Sequence, residues 1–216
     1  MDSFFPVGAF AYSDGLETAA AEGRVSDAAS LQNWMDHFVD AVFIPCEGLA
    51  LVKLMGALEV SDHDAVRELD TELTAIRPAG AVRAASTGVG KRLLTAYGSI
   101  CASENAEDFA ALARLLPHGN AATAYALVFF HRGIPNREAA LAFGYNRLAG
   151  MVSAGLRLIS MGQQQGQALL TRGIERLPAA VDRILQMEAE PLRSFSPMMD
   201  IQQMNHRYVY SRLFRS

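Results

Sequence analysis

The chain has few cysteines, little excess charge and no long apolar run, and each shortage excludes a class of protein. Cys46 and Cys101 are the only cysteines in 216 residues, and they lie far apart in the sequence. Small disulfide-stabilised proteins have many closely spaced cysteines, so this pair predicts reduced thiols in a cytosolic protein. The formal net charge is −4, and basic and aromatic residues are interleaved only near the C-terminus. We therefore expect no nucleic-acid partner.

The shortage of long apolar runs argues against a membrane protein. No uninterrupted run reaches the roughly 18 residues that a membrane-spanning helix needs. The first residues, Met1-Asp2-Ser3-Phe4-Phe5-Pro6, contain neither the basic segment nor the long apolar stretch of a signal peptide. The sequence thus predicts no membrane partner and a cytoplasmic location.

Apolar residues are nevertheless abundant, at 50% of the chain. They recur at three- and four-residue steps along most of the sequence, whereas the alternation typical of strands is missing. We predict an all-α fold, an irregular single-domain bundle of about eight or nine helices. The helical domain is expected over residues 1–190, followed by a C-terminal tail over residues 191–216.

Local signals predict where several helices begin and end. Pro45 should end the helix that precedes it, because proline disrupts a helix interior. Asp14 and Glu17 have the spacing of an acidic capping box at a helix start, and Asn136 is a suitable N-cap for a later helix. Regular structure is expected to end at Pro191.

The segment Gly88-Val89-Gly90-Lys91-Arg92 is similar to a phosphate-binding loop but lacks its pattern. That motif needs a glycine five residues before the Gly-Lys pair and Ser or Thr after the lysine, and these positions hold Ala85 and Arg92. No strand is predicted before it. We interpret the segment as part of a helix.

Four later glycines interrupt helical stretches: Gly150, Gly155, Gly162 and Gly166. Each costs a helix about 1 kcal/mol relative to alanine, so we expect close helix or partner approach, or a break near Gly162. The neighbouring glutamines at positions 163, 164, 165 and 167 are either solvated or part of a polar interface, and the sequence leaves both alternatives open.

The histidines do not have the spacing of a metal site. His131 follows an apolar helix and is predicted to cap it. His206 lies near three methionines, Met198, Met199 and Met204, and thioether with imidazole suits a soft metal. We favour protein docking, because methionine-rich surfaces are adaptable and this segment offers no thiolate. Nickel binding through His206 stays open as an alternative.

Catalysis is not indicated by any linear motif. Ser13, Ser86 and Ser153 lack the context of a nucleophile elbow, and the acidic residues are scattered along helix faces. No cofactor is expected. A helical enzyme with an unrecognised pocket stays open as a second alternative, since folding can assemble a site from distant residues.

The C-terminal tail is the most informative segment. It is rich in arginine and aromatic residues, the types that dominate protein interface hot spots. We predict that the tail binds a protein partner through Arg207, Tyr208, Tyr210, Arg212, Leu213, Phe214 and Arg215.

A second unusual segment lies at the start of the chain, where Phe4, Phe5, Phe10 and Tyr12 occur close together. Such a terminal segment either packs into the core or contacts a partner. The sequence does not separate these two interpretations.

Several short segments occur along the chain in a specific order and spacing. They are Phe5-Pro6-Val7-Gly8-Ala9-Phe10-Ala11-Tyr12-Ser13 with Gly15-Leu16-Glu17, Gly90-Lys91-Arg92-Leu93-Leu94, Val152-Ser153-Ala154 with Arg157-Leu158, Met161-Gly162-Gln163, Gly166-Gln167 and Tyr210-Ser211-Arg212-Leu213-Phe214-Arg215-Ser216. Together they resemble the urease accessory protein F family, over nearly the whole chain.

This resemblance implies an all-helical homodimer that is not a hydrolase. It implies binding to the urease accessory protein called D or H, recruitment of the nickel-carrying GTPase called G, and docking on apo-urease for nickel delivery. It further implies that the tail folds onto the D/H partner, and that Arg212, within Ser-Arg-Leu-Phe, supports GTPase recruitment. The protein is also expected to regulate the GTP hydrolysis that its partner GTPase carries out.

The chain departs from the resembled family at two places. Relatives usually carry further apolar residues before the segment that begins at Phe5. They also commonly have glutamate after the tail histidine, whereas Arg207 follows His206 here. This charge reversal implies a matching difference in the partner.

Overall fold

A computed structural model describes residues 12–101 and 103–215 of the chain, and the side chains of all of these except residues 103–105. Helices are the only regular structure within those ranges, so the predicted all-α fold is confirmed. The aromatic segment of Phe4, Phe5 and Phe10 lies outside the described residues.

Ten α-helices follow one another along the described chain. They are α1 (Leu16–Ala21), α2 (Ala28–Phe38), α3 (Leu49–Glu59), α4 (His63–Ala75), α5 (Gly80–Ile100), α6 (Ser103–Ala113), α7 (Ala121–His131), α8 (Asn136–Leu158), α9 (Gln163–Gln186) and α10 (Pro197–Asn205). A short 3₁₀ helix, His206–Tyr208, follows α10.

Helices α2 and α3 are two ends of one continuous helix, Ala28–Glu59. They are joined by a π-helical segment, Val39–Gly48, which contains Pro45. The prediction that Pro45 ends the helix is therefore wrong. Proline lacks an N–H and its ring collides with the carbonyl one α-turn earlier, and the wider π turn accommodates both defects. With α2 and α3 counted as one, the described residues form nine helices, as predicted.

By length and composition alone, this continuous helix could cross a membrane, with a mean hydropathy of 1.7 in its most apolar window. A break at Pro45, as predicted from the sequence, would have divided this helix into two shorter helices. Within the protein, 67% of that window is buried. The core helix of a bundle has the same property, because its neighbours surround it.

The continuous helix lies at the centre of the bundle. It packs against α4, α7, α8 and α9, while α5 packs along α7 and α8 along α9. Phe43 meets Phe143 at a ring-centroid distance of 6.3 Å, and Phe143 meets Tyr125 at 5.2 Å. Burial raises the pKa of Tyr125 to about 12, so its hydroxyl stays protonated at neutral pH. Helix α7 is apolar on nearly all sides and buried, as its sequence predicts.

Neither Asn136 nor His131 occupies the capping position that was predicted for it. Asn136 is the first residue of α8, and the N-cap position is held by Pro135. His131 is the last residue of α7, and its Nδ1 lies 2.9 Å from the Tyr97 hydroxyl, so it ties α7 to α5. The two cysteines are free thiols, and burial raises the pKa of Cys46 to about 12.

The glycines of α8 and α9 are explained in part by close packing. A Cβ on Gly155 would lie 2.4 Å from a methyl group of Leu31. One on Gly166 would lie 3.2 Å from Leu156. Gly162 is the N-cap of α9 and marks the predicted break, whereas no atom lies within 4 Å of a Cβ on Gly150. The four neighbouring glutamines are exposed.

The former phosphate-loop candidate lies inside α5, as interpreted from its sequence. Its central glycine packs against another part of the backbone. A Cβ on Gly90 would lie 2.1 Å from the carbonyl oxygen of Gly119 and 2.7 Å from that of Asn120. Gly90 therefore lets α5 approach the turn that precedes α7.

That turn is held by a buried carboxylate from α4. Asp70 Oδ2 accepts hydrogen bonds from the backbone N–H groups of His118 (2.7 Å) and Gly119 (2.9 Å). Asp70 Oδ1 accepts from the Asn120 N–H (3.0 Å), the Asn120 side-chain amide (2.9 Å) and the Thr123 hydroxyl (2.6 Å). The side chain thus joins α4 to the start of α7.

Candidate partner-binding surface at the C-terminal tail

The C-terminal tail returns across the bundle and is fixed at several points. Lys53 Nζ donates to the Glu190 carbonyl at 2.8 Å, and the Arg193 N–H donates to the Pro45 carbonyl at 3.0 Å. The buried Ser196 hydroxyl lies 2.8 Å from Nε2 of His37. Helix α10 then begins at Pro197, which suits a first helical position because it has no N–H to leave unpaired. Regular structure therefore does not end at Pro191.

Helix α10 has two different faces. Met199 and Gln202 are buried in the packing of α10 against α1 and α5. Met198, Ile201 and Met204, spaced three residues apart, are each about half exposed. The methionines of this segment are thus divided between the interior and the surface.

The end of the tail is anchored on the buried side chain of Glu17 in α1. Glu17 Oε2 lies 2.6 Å from Nε2 of His206 and accepts a hydrogen bond from the Phe214 N–H at 3.3 Å. Glu17 Oε1 accepts from the Leu213 N–H at 2.5 Å. Glu17 and His206 are both almost completely buried. One carboxylate therefore holds three groups of the tail.

The predicted capping box of Asp14 and Glu17 is wrong. The N-cap of α1 is Gly15, in a left-handed conformation with φ of 86°, and neither Asp14 nor Glu17 caps the helix with its side chain. Asp14 instead pairs with Arg147 of α8 at 2.7 Å. Both carboxylates make tertiary contacts, which sequence spacing cannot reveal because the partner residues lie far along the chain.

A network of two buried and two half-buried charges includes the turn that precedes α1. Glu47 pairs with Arg77 at 2.7 Å and with Arg147 at 2.9 Å, and Arg147 also pairs with Asp14. Burial alone would lower the pKa of Arg147, but Asp14 and Glu47 raise it above its usual value. The Arg147 guanidinium also lies 5.0 Å from the ring centre of Phe38. The network fixes the turn before α1, and with it the position of Glu17.

Two of the three serines considered as nucleophiles, Ser13 and Ser86, make structural contacts. Ser13 and Ser86 line a small, partly open cavity of about 60 Å³. The Ser13 hydroxyl accepts from the Glu17 N–H at 3.4 Å, and the Ser86 hydroxyl accepts from the Ala121 N–H at 3.1 Å. Small-molecule sites usually have volumes of about 300–1,000 Å³, so this cavity has room for water but not for a typical substrate.

Six of the seven predicted partner-binding residues lie at the surface. Tyr210 is fully exposed, Tyr208 and Leu213 are about 70% exposed, and the side chains of Arg207, Arg212 and Arg215 are also exposed. Phe214 is the exception. It is only 5% exposed, and the Arg157 guanidinium lies 4.2 Å from its ring centre. Phe214 anchors the tail in this conformation, and a role for it in partner binding would require the tail to detach.

The His206 ring is almost completely buried, and its Nε2 lies against the Glu17 carboxylate. Among the described residues, no group of three or more His, Cys, Asp or Glu side chains is arranged to hold a metal. The histidine that drew attention in the sequence thus acts as an internal tie.

The sequence profile of one family, UreF, matches residues 25–173 of the chain. A urease accessory protein UreF from Methylibium petroleiphilum is 34% identical, over 98% of this chain and 89% of the relative. The chain belongs to the UreF family. UreF proteins from Microcystis aeruginosa and an Arthrobacter species are each 32% identical, with at least 98% of this chain and 92% of the relative covered. The resemblance inferred from the short segments is confirmed, and the relatives' name denotes an accessory rather than a catalytic role.

The anchor on Glu17 can be tested in this UreF protein with the substitution Glu17→Gln. Both oxygens of Glu17 accept hydrogen bonds, so the amide group of glutamine must oppose at least one donor. A hydrogen bond to a charged group contributes about 1.5–3 kcal/mol. We expect the amides of Leu213 and Phe214 to exchange with deuterium about tenfold faster or more, measured by mass spectrometry of the C-terminal peptide.

Glu175→Gln is the matched control, because Glu175 is an exposed residue of α9. It should leave this exchange unchanged, and circular dichroism should show the same helix content for both variants. Unchanged exchange in Glu17→Gln would contradict the anchor.

Proposed function

We propose that this UreF protein is a non-catalytic scaffold for urease maturation. It binds the urease accessory protein D/H, recruits the GTPase G and docks on apo-urease during nickel insertion, as a homodimer in the cytoplasm. The observation that supports this proposal is the exposed arginine- and tyrosine-rich surface of the tail, which is anchored from below by Glu17. In this proposal the division near residue 190 separates the helical domain from the segment that contacts partners.

The anchored tail has the properties of a protein-binding surface. Arginine and tyrosine contribute disproportionately to binding energy at protein interfaces. A surface that is already ordered loses less conformational entropy on binding than a free tail does. The buried contacts of His206 and Phe214 supply that order, and leave Tyr208, Tyr210 and Leu213 exposed.

Arg212 is the residue proposed to support recruitment of the GTPase. Its side chain is exposed, and a planar guanidinium with five donors suits a partner carboxylate or backbone carbonyl groups. Contact with the GTPase in this way also gives the protein a means to regulate GTP hydrolysis by its partner.

The proposal is tested by co-purifying the full chain with the D/H and G proteins of the same organism and weighing the complex by light scattering. A stable assembly that contains all three supports the accessory role and gives its stoichiometry. Failure of the folded chain to bind the D/H protein would overturn it. Turnover of a substrate by the isolated chain would instead favour the helical-enzyme alternative.

We expect Arg212→Ala to weaken recruitment of the GTPase about tenfold or more, because a charge-assisted hydrogen bond is lost. Binding to the D/H protein should be largely unchanged. Both affinities can be measured by surface plasmon resonance, with the preformed D/H complex used to capture the GTPase. Arg172→Ala on α9, also an exposed arginine, is the control and should affect neither step. Equal loss of both interactions in Arg212→Ala would contradict this role.

A further inference from the structure

A groove of about 300 Å³ lies between the tail and the start of α5. One wall is formed by residues 78–81, at the first turn of α5, and the other by the segment that follows Gln203. Three exposed arginines line it: Arg207, Arg212 and Arg215. They come from two different parts of the tail and are brought together by its fold.

The charge of this groove is of one sign. The described residues that line it include no acidic side chain. Within residues 12–101 and 103–215, no carboxylate forms an ion pair with any of the three arginines. Arg176 shows the opposite arrangement, since it bridges Asp36 and Asp40 on the surface of the bundle. Three arginines therefore converge with no ion-pair partner among the described side chains, in a chain whose net charge is −4.

The nearby buried carboxylate of Glu17 is directed at groups other than the three arginines. Glu17 is occupied by His206 and by the backbone N–H groups of Leu213 and Phe214. His206 lines the groove and contacts Glu17, so it lies between the two.

The helical wall adds to the attraction for negative charge. Helix α5 has 21 residues, its N-cap Ala79 offers no side-chain acceptor, and its first turn has no acidic residue. The first N–H groups of such a helix carry partial positive charge and favour an anion. This effect supplements the three guanidinium groups, which are the main source of charge.

The surroundings of the groove indicate a protein ligand rather than a free anion. Met204 lines the groove and is about half exposed. Tyr208 and Leu213, next to the lining arginines in the chain, are about 70% exposed. A rim of this kind offers apolar contact to a peptide, whereas a small anion would use only the charges.

We propose that this groove binds an acidic segment of a partner protein, whose carboxylates pair with Arg207, Arg212 and Arg215. Guanidinium groups bind carboxylates through two parallel hydrogen bonds, so three arginines select a segment with two or more closely spaced acidic residues. The proposal rests on the proposed function in that the tail is taken as a partner-binding surface. It adds the chemistry of the partner and assigns Arg207 and Arg215 to the same site as Arg212.

The test uses the full chain and a fluorescein-labelled peptide of alternating glutamate and leucine, with binding followed by fluorescence anisotropy. A second peptide, with glutamine in place of glutamate, is the matched ligand control. We expect the acidic peptide to bind and its affinity to fall as salt is raised. Arg207→Gln and Arg215→Gln should each weaken binding about tenfold, and Arg207→Glu should weaken it further. Arg114→Gln, at an exposed position just after the end of α6, should have no effect.

Several results would overturn the proposal. Equal binding of both peptides would show that charge is not read. An equal effect of Arg114→Gln would show that only the net charge matters. Binding of inorganic phosphate or GTP in place of the acidic peptide, lost in the same variants, would assign the groove to a phosphate group. Arg207→Lys should keep at least part of the binding if the charge itself is recognised, and thermal unfolding confirms that each variant is folded.

The same variants separate this proposal from the proposed function. Suppose that the Arg207→Gln and Arg215→Gln variants assemble normally with the D/H and G proteins, and that the acidic peptide does not bind the unaltered chain. The proposed groove is then wrong and the accessory role stands. If the unaltered chain binds the acidic peptide but fails to assemble with those proteins, the groove stands and the accessory role is wrong.

Discussion

Replacing Gly90 with alanine is expected to destabilise the fold by about 3 kcal/mol or more, near the upper end of what overpacking a close contact costs. The new Cβ would lie 2.1 Å from the Gly119 carbonyl oxygen and 2.7 Å from that of Asn120. Both obstacles are backbone atoms, so no side chain can rotate to relieve the collision. The turn itself cannot retreat easily, because Asp70 holds it through several hydrogen bonds. Unfolding in urea, followed by circular dichroism, measures the change.

Gly56→Ala is the matched control for this substitution. Gly56 lies inside α3, and no atom lies within 4 Å of a Cβ at that position. Alanine should stabilise the helix there by up to about 1 kcal/mol. The two glycine-to-alanine changes are thus expected to have opposite signs. If Gly90→Ala is no more destabilising than Gly56→Ala, the close approach of α5 to the turn is contradicted.

Asp70→Asn is expected to be at least as damaging, with a loss of about 3–5 kcal/mol in the free energy of unfolding. Each oxygen of Asp70 accepts hydrogen bonds from at least two donors. The amide group of asparagine would face some of these donors with its own N–H groups, whichever way it rotates. The start of α7 would lose part of its support, and buried N–H groups would be left unpaired. Glu68→Gln, at an exposed position of the same helix, should change the stability by less than about 0.5 kcal/mol.

The contribution of Asp70 also has a definite pH dependence. Burial alone would raise its pKa, but hydrogen bonds from Thr123, Asn120 and His118 outweigh burial and lower it. The charged form is therefore favoured in the folded state. Its stabilisation is fully present above the unfolded pKa of about 3.9 and is lost as the pH falls through the lower, folded value. The loss of stability below about pH 4 should be shallower in Asp70→Asn than in the unaltered protein, as measured by urea unfolding across the acid range.

The tail and the bundle are connected through a short series of buried and half-buried charges. Asp14 and Glu47 hold Arg147, and this network fixes the turn from which Glu17 reaches the tail. Glu17 in turn orders the segment that presents Arg212 and Leu213. Substitutions in this network are thus expected to change the order of the exposed tail surface through Glu17.

The sequence by itself determined the all-α class and the number of helices. These follow from the spacing of apolar residues, which is a local property of the chain. Helix α7, for example, is apolar on nearly all sides and is buried. The family also followed from the sequence, because the matching segments occur in order along the chain and need no knowledge of contacts.

Only the tertiary structure decided what particular polar residues do. Pro45 has the local features of a helix end, yet the π-helical segment and the surrounding bundle carry the helix through it. Asp14 and Glu17 have the spacing of a cap, but their partners Arg147 and His206 lie more than a hundred residues away in the sequence. The composition of the tail pointed to binding, whereas its anchoring by Glu17 and the convergence of three arginines beside α5 arise from folding. A buried charge needs an ion-pair or hydrogen-bond partner, and the tertiary structure determines which residue that partner is.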